Sequence, residues 1–530
     1  MLDGINKDHG RPDDPMRNPA EAAKLFAELR AVDPLTALVD LRSWLDAAKE
    51  IPGDDERVRN DFLALIQEAS EAHLSKLLAQ LPAKGTDQQA ARESTWNALH
   101  DYLRKLTVAL CTSASVLLKQ AGKDPSLQLA GAAGAARGLH SCRLLAKLYL
   151  LHYLSVPPKL WQLAYAVHAG AEKVGSAVKQ IRMHATGRTS TTVTQELLRL
   201  LMLQSSAPEM MPPEQIEVAD RVVEQLGGDF ALHPRGAAGN VFCFDPASDQ
   251  PPLRAAGRSP EAGGDVRYFG AGTGYDALER LYRELATMTP GAIKAFGMEI
   301  PPHVRMSAIR HLMAFWGAAN PYAPPAHSQA TGTLRIIRGY APIWQHLSRA
   351  RSVSTELSLV EDGDGPAQAP ETWTLQDGGG NELGAEIPSG AWARSGDVIG
   401  VSTRGDDECW LGVIRSMHAA QGRSLHANIF ILSREPQAVQ LRPVIAQGEA
   451  SAISEDAARQ FSFNTVRAII LSDGATGAQK ANFLLPPESW EEGRVYEGTV
   501  AGAVRHLRGL QLLRHGEDCI RATFEWVEQP

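Results

Sequence analysis

The stretch Thr372–Pro388, TWTLQDGGGNELGAEIP, sets a Gly-rich turn between two segments in which apolar and polar residues alternate. Alternation with a period of two marks a half-buried strand, and Gly, Asp and Asn are the residues that reverse a chain. The same rhythm continues downstream. Trp373–Gln376, Leu383–Ile387, Val398–Ser402, Trp410–Ser416, Leu425–Leu432 and Val439–Pro443 read as short strands separated by Gly, Asp, Pro or Ser. Short strands spaced this evenly predict a small β-barrel, here over residues 331–446.

Working outward, the chain changes character on both sides. Residues 1–17 are polar and rich in Pro and Asp, which predicts an unstructured lead-in. Asn18-Pro19 and Asp33-Pro34 each combine a good N-cap with a proline suited to the first helical position. Apolar residues at helical spacing follow, among them Leu38, Leu41 and Leu45, then Phe62, Ile66 and Leu74, then Leu99, Leu103, Leu106 and Leu110. The pattern runs on through Gly138–Leu154, Leu160–Ala185 and Val193–Leu203, which predicts an all-helical domain over 18–212. Residues 213–330 mix helices with short apolar pieces and read as a mixed α/β connecting region. Beyond the barrel, Ser454–Phe461 reads as a short linker helix. Val466–Leu471, Ala481–Leu485, Val495–Val500, Leu507–Arg514 and Ile520–Val527 then predict a further β-rich unit over 447–530. The expected fold class is therefore multidomain α+β.

At 530 residues the chain is too long for one core, and its net charge of -8 argues against a non-specific nucleic-acid surface. The N-terminus lacks the basic region and apolar run of a signal peptide, and no stretch reaches membrane-spanning length. The five cysteines are scattered without a CxxC pair. Neither a disulfide framework nor a zinc signature follows from them, and a reducing, cytoplasmic compartment is expected.

Few constellations point to chemistry. Phe269–Leu278, FGAGTGYDAL, places Gly270, Gly272 and Gly274 between a short strand and a helix, where Gly-rich loops cradle phosphates. Its strand is short, no βαβ alternation surrounds it, and Glu299, the candidate ribose-binding acid, follows a Pro/Gly-broken segment instead of a clean second strand. A turn is the simpler reading. His140, His152, His168 and His184 lie on helices without metal-ligand spacing. No GxSxG elbow, P-loop or HExxH is present. No catalytic residue, metal ligand or cofactor is predicted, and the chain is not expected to be an enzyme.

A resemblance adds to this reading. Asp377–Ala385 (DGGGNELGA), the Gly396–Val401 segment (GDVIGV) and Cys409–Met417 (CWLGVIRSM) resemble successive strands of PilZ domains. That resemblance implies a six-stranded barrel and, for many members, binding of the bacterial second messenger cyclic di-GMP. The family's ligand site has an Arg-x-x-x-Arg pair before the first strand and an Asp/Asn-x-Ser-x-x-Gly loop. Here Asp377 keeps the acid, Gly379 stands for the Ser, Glu382 for the Gly, and Gly384 follows. Upstream, Arg349 and Arg351 are two apart, and Arg335 and Arg338 are three apart. In an extended segment Arg349 and Arg351 would project to one side. Guanidinium forks match phosphate oxygens and stack on purines. The resemblance therefore implies Arg349, Arg351, Asp377 and Gly384 as nucleotide contacts, with Thr333–Val353 as a linker that orders on binding. Glu382 would repel an anionic dinucleotide.

The expected function is a non-catalytic signalling or adaptor protein that works through a protein partner docked on its helical domain and binds cyclic di-GMP. Two alternatives stand beside it: a ligand-independent scaffold, and a nucleotide- or S-adenosylmethionine-dependent enzyme using Gly270–Gly274. No membrane insertion is expected, and the partner and any homo-oligomer stay open.

Overall fold

A computed structural model describes the chain outside residues 1–17, 52–55, 82–88, 184–189, 237–238, 256–264, 288–299, 320–327, 353–369, 389–392, 404–407, 420–423, 445–464, 472–478, 501, 516–517 and 529–530. The expected lead-in, the Ser454–Phe461 helix, His184 and Glu299 lie outside the described residues. The structure is multidomain α+β and forms two compact units, residues 1–322 and 323–530.

In the first unit the caps act as their residue types dictate. Asn18 accepts a hydrogen bond from the Ala20 amide at 3.1 Å and starts α1 (Pro19–Glu28). The Asp33 carboxylate accepts from the Leu35 and Thr36 amides and starts α2 (Pro34–Ala47). Such caps stabilise a helix by about 1 kcal/mol each. Four longer helices follow: α3 (Glu56–Gln80), α4 (Gln89–Ala121), α5 (Gln128–Leu150) and α6 (Pro158–Lys173).

The helix expected over Leu160–Ala185 ends twelve residues early. Gly175 takes φ +68° just past its end, and the amides of Gly175 and Ser176 turn back to the carbonyls of Glu172 and Ala171. This is a Schellman stop, which glycine makes cheap. A two-stranded ribbon, β1 (Ile181–Arg182) and β2 (Ser190–Thr191), then leads into α7 (Val193–Gln204). Thr192 and Gln195 close a capping box at its start.

α8 (Pro213–Leu226) is fixed against α5 by charge as well as by apolar contact. Arg143 and Lys147 of α5, 2% and 4% exposed, both reach Asp220 of α8, with Lys147 Nζ 2.8 Å from its carboxylate. Glu217 and Glu224 complete the cluster. Burial pushes Asp220 up, but the charges of Arg143 and Lys147 outweigh it and hold the acid at about 2.

The connecting region is part of this unit's core rather than a separate layer. Strands β3 (Ala231–His233), β4 (Phe242–Phe244), β5 (Leu253–Arg254) and β6 (Arg267–Gly270) form an antiparallel sheet in the order β3-β6-β4-β5. Phe244 and Phe269 of this sheet, with α9 (Gly274–Ala286) and α10 (Pro302–Trp316), share one buried cluster with the helices from Ala22 onward. Among the described residues no helix is long and apolar enough to cross a membrane.

The second unit holds two closed six-stranded barrels. The first joins β7 (Ser328–Arg338), β8 (Glu371–Gly379), β9 (Glu382–Ile387), β10 (Val398–Thr403), β11 (Trp410–Ala419) and β12 (Leu425–Ser433) in the order β10-β11-β12-β9-β8-β7. The second joins β13 (Gln437–Pro443), β14 (Val466–Leu471), β15 (Lys480–Leu485), β16 (Val495–Val500), β17 (Ala503–His515) and β18 (Ile520–Val527) in the order β13-β14-β15-β18-β17-β16.

Two features correct the sequence reading. The strand at Val439–Pro443, expected to end the first run, belongs to the second barrel. Val439 and Leu441 alternate inward into the second core, and the first barrel is already closed by β7 pairing with β8 and β10. The segment expected as a linker, from Thr333, is instead β7 followed by α11 (Tyr340–Ser352).

α11 joins the two barrels. Tyr340 donates its hydroxyl to the carbonyls of Arg467 and Leu484, and the Trp344 indole N–H donates to those of Val439 and Ala468, at 3.3 and 3.1 Å. Tyr340, Ile343 and Trp344 share a buried cluster with Leu411 of the first barrel and with Ala438, Ile469 and Leu484 of the second.

Candidate functional site

The Gly-rich stretch is a tight hairpin and not an open loop. Asp377, Gly378 and Gly379 still belong to β8, and the turn is Gly380-Asn381. Gly380 takes φ +60° at the first central position, as a type II′ turn requires. The turn is pinned from the neighbouring strands. The Ile431 amide donates to the Asn381 carbonyl at 2.7 Å, and Arg434 donates to the Gly380 carbonyl at 2.7 Å while its guanidinium lies 4.4 Å from the Trp410 ring centre.

The structure brings Asp377 and Gly384 together. They face each other across the β8–β9 pair, and a Cβ on Gly384 would sit 2.0 Å from Asp377 Oδ1. Glycine is required there because the carboxylate fills the space. The same row continues through Asn428 to Ser416, where Asn428 donates to the Ser416 hydroxyl at 2.9 Å.

One row over, Glu382 is 7% exposed and is held by Arg415 at 2.5 Å. Arg415 also lies over the Phe430 ring at 5.7 Å. The register shift between Ile414 and Ser416 makes Arg415 the extra residue of a bulge on β11. Glu382 therefore does not confront a ligand as a bare charge, because its counter-ion is built in. The letters CWLGVIRSM show Arg415 but not this pair, since the strand register that joins it to Glu382 is a property of the closed barrel.

In the row on the other side, His418 and His426 stand directly opposite each other with ring centres 4.9 Å apart. Burial lowers the affinity of His418 for a proton, and His426 adds to this, while Asp377 opposes it. Glu386 is opposite His426 and accepts from the Gln376 amide at 3.1 Å. The strands β8, β9, β12 and β11 thus present one polar face: Asp377, Asn428 and Ser416 at its middle, His418 and His426 at one side, and the Glu382–Arg415 pair at the other.

Arg349 and Arg351 are not on an extended segment. Both fall in the last turns of α11, where positions two apart do not share a face. Arg349 is exposed, and the side chain of Arg351 lies outside the described residues. Arg335 and Arg338 are in β7, paired with β10.

The loop at Gly270–Gly274 serves packing. A Cβ at Gly270 would meet the Gly239 carbonyl oxygen at 2.3 Å, and one at Gly272, whose φ is +56°, would meet that of Asp229 at 2.4 Å. These glycines are required by close backbone approach, and the preceding strand sits in an antiparallel sheet instead of a βαβ unit.

The histidines serve packing as well. His140 contacts Glu196 at 3.7 Å, His152 packs on Trp96, and His168 bonds Thr194 at 3.1 Å. All five cysteines are buried free thiols, and the described residues hold no cluster able to ligate a metal.

No curated protein and no solved structure matches the chain. The likeness that does emerge falls on the helical unit, outside both barrels: residues 20–236 match the family model described as the N-terminal domain of the cyclic-di-GMP receptor FimW.

Proposed function

We propose that this chain is a non-catalytic, cytoplasmic effector of cyclic di-GMP that acts through protein contacts. The observation that carries this reading is the match of residues 20–236 to the N-terminal domain of a cyclic-di-GMP receptor, in a chain that continues into two six-stranded barrels. In this reading the first barrel is a PilZ-like module. Asp377 and Gly384, on the polar face of β8 and β9, give the base and sugar contacts, and Arg349 and Arg351 at the end of α11 supply the phosphate contacts. Because α11 also binds the second barrel through Tyr340 and Trp344, a ligand held at its end would tighten the junction between the barrels. The helical unit then serves as the docking module for a protein partner.

A ligand that binds only the native state raises its melting temperature. Cyclic di-GMP is expected to raise the Tm of the full chain, and Arg349→Ala with Arg351→Ala is expected to remove the shift. No shift at millimolar ligand overturns the reading.

A second reading, the ligand-independent scaffold, is favoured by one observation. One departure from the ligand motif, Glu382, is neutralised by Arg415, and the space beside the retained Gly384 is filled by Asp377. It predicts that cyclic di-GMP leaves the Tm unchanged while the full chain still retains its partner.

A further inference from the structure

Among the described residues two arginines are buried, and their surroundings are opposite. Arg143, 2% exposed, meets Asp220 and Glu224. Arg305 is 3% exposed, and among the described residues its side chain makes no ion pair or hydrogen bond; Nε and Nη1 are sealed from solvent without a partner. Arg305 opens the buried stripe of α10, which continues through Ala308, Ile309, Leu312 and Trp316 at helical spacing. α10 packs on α8 and α9. The acids of α8 that reach the core are committed elsewhere, Glu217 and Asp220 both to Lys147 of α5.

The position of Arg305 adds to the imbalance. It is the fourth residue of α10, and helical side chains lean towards the N-terminus, so the guanidinium is directed at the positive end of the helix dipole. An acid in the first turn or a capping side chain would offset both charges. α10 has neither: it contains no Asp or Glu, no side chain caps it, and it is entered through Pro301 and Pro302, which have no N–H. A buried cation has to be paired or to lose its charge, and a guanidinium keeps its proton. One anion answers all of these demands. The guanidinium offers it two edges, Nη1 with Nη2 and Nε with Nη2, and each edge fits two oxygens of one phosphate or carboxylate. Nη2, which both edges share, is not sealed as Nε and Nη1 are, and it gives the anion a way in.

We propose that Arg305, at the N-terminal turn of α10, is the receptor of a small oxyanion held bidentately by its guanidinium. The shared chemistry is a negative group with two acceptor oxygens, which a phosphate or a carboxylate supplies. The buried setting selects a small anion over an extended one. The site lies outside both barrels and outside residues 20–236. It uses neither Arg349 and Arg351 nor the polar face of the first barrel, and stands independently of the reading above.

The test is thermal melting of the full chain in rising inorganic phosphate, in rising acetate, and in chloride of equal ionic strength. It is repeated on Arg305→Met, on Arg305→Lys, and on the double variant Arg349→Ala with Arg351→Ala. Phosphate also stabilises folded chains by exclusion from their surface, so the quantity read is the difference between the shifts of the unaltered chain and of Arg305→Met. Expected is a saturable rise in Tm with phosphate, above the chloride control, that is absent from Arg305→Met. Arg305→Lys, which loses the fork, should weaken the apparent affinity by about tenfold or more. Without phosphate, Arg305→Met should melt no lower than the unaltered chain, because an apolar side chain replaces an unpaired buried cation. The double variant should keep the full phosphate shift. A saturable rise with acetate alone, lost in Arg305→Met, supports the site with a carboxylate as its occupant. Equal shifts in the unaltered chain and Arg305→Met overturn it, and so does the lack of a saturable rise with either anion. Should Arg305→Met fail to fold, Arg305→Lys decides, and an unchanged phosphate affinity there overturns the site. A phosphate shift that survives Arg305→Met and disappears in the double variant also overturns it, and leaves the first-barrel reading standing.

Discussion

At the scale of single residues, one side chain in the first barrel explains a retained glycine. Gly384 is glycine because the Asp377 carboxylate stands where a Cβ would go. Gly384→Ala is expected to destabilise the chain by about 1–3 kcal/mol in urea unfolding, the usual cost of overpacking. Asp377→Ala in the same chain should recover part of that loss, and strict additivity of the two changes would contradict the contact. In the helical unit Asp220 is the shared anion of Arg143 and Lys147. Asp220→Asn leaves two buried cations short of a partner and should cost about 3–5 kcal/mol by the same measurement. His168 gives a pH signature. Burial and the nearby Arg267 lower it to about 4 from an ordinary value of 6.5. A depressed histidine contributes stability above its unfolded value and loses it as pH falls towards the folded one, so the window is pH 6.5 to 4. On the order of 3 kcal/mol is at stake over that range. His168→Asn, which keeps a hydrogen-bonding group near Thr194, should flatten the slope of stability against pH in that window.

At the scale of elements, the strands of both barrels other than β7 were legible because they alternate with a period of two between turn residues. Leu383–Ile387 and Val495–Val500 are examples. What alternation does not carry is partnership. Val439 and Leu441 read as well for one barrel as for the next, and only closure of the first by β7 assigns them to the second. β7 and α11 were missed for a related reason. A strand joined directly to a helix at Gly339, φ +81°, has no clean period, and two arginines near the end invited an extended reading. The candidate site divided in the same way. Asp377 and Gly384 were visible as letters and lie face to face, whereas Arg415 as the partner of Glu382 needed the register of four strands. α11 yields its own prediction. Trp344→Ala removes a buried indole and two hydrogen bonds to the second barrel, at a cost of about 3–5 kcal/mol. Hydrogen exchange should then show β13 and β14 losing protection before the strands of the first barrel; uniform loss across both barrels would count against α11 as their junction.

At the scale of the whole molecule, the chain carries a helical unit, of which residues 20–236 match the family model of a cyclic-di-GMP receptor's N-terminal domain, and two closed barrels, the first with a polar face on β8, β9, β12 and β11. The glycines that most resembled a cofactor loop, Gly270 and Gly272, are spent on backbone packing, and the described residues assemble no metal centre. The match of residues 20–236 to the family model of a cyclic-di-GMP receptor's N-terminal domain is what supports the proposed reading as an effector of that dinucleotide. Calorimetric titration of the full chain with cyclic di-GMP tests that claim most directly. The account predicts saturable binding of micromolar strength or better, weakened when Arg349 and Arg351 are both replaced by alanine. The absence of binding heat at millimolar cyclic di-GMP, with the chain folded, would contradict it.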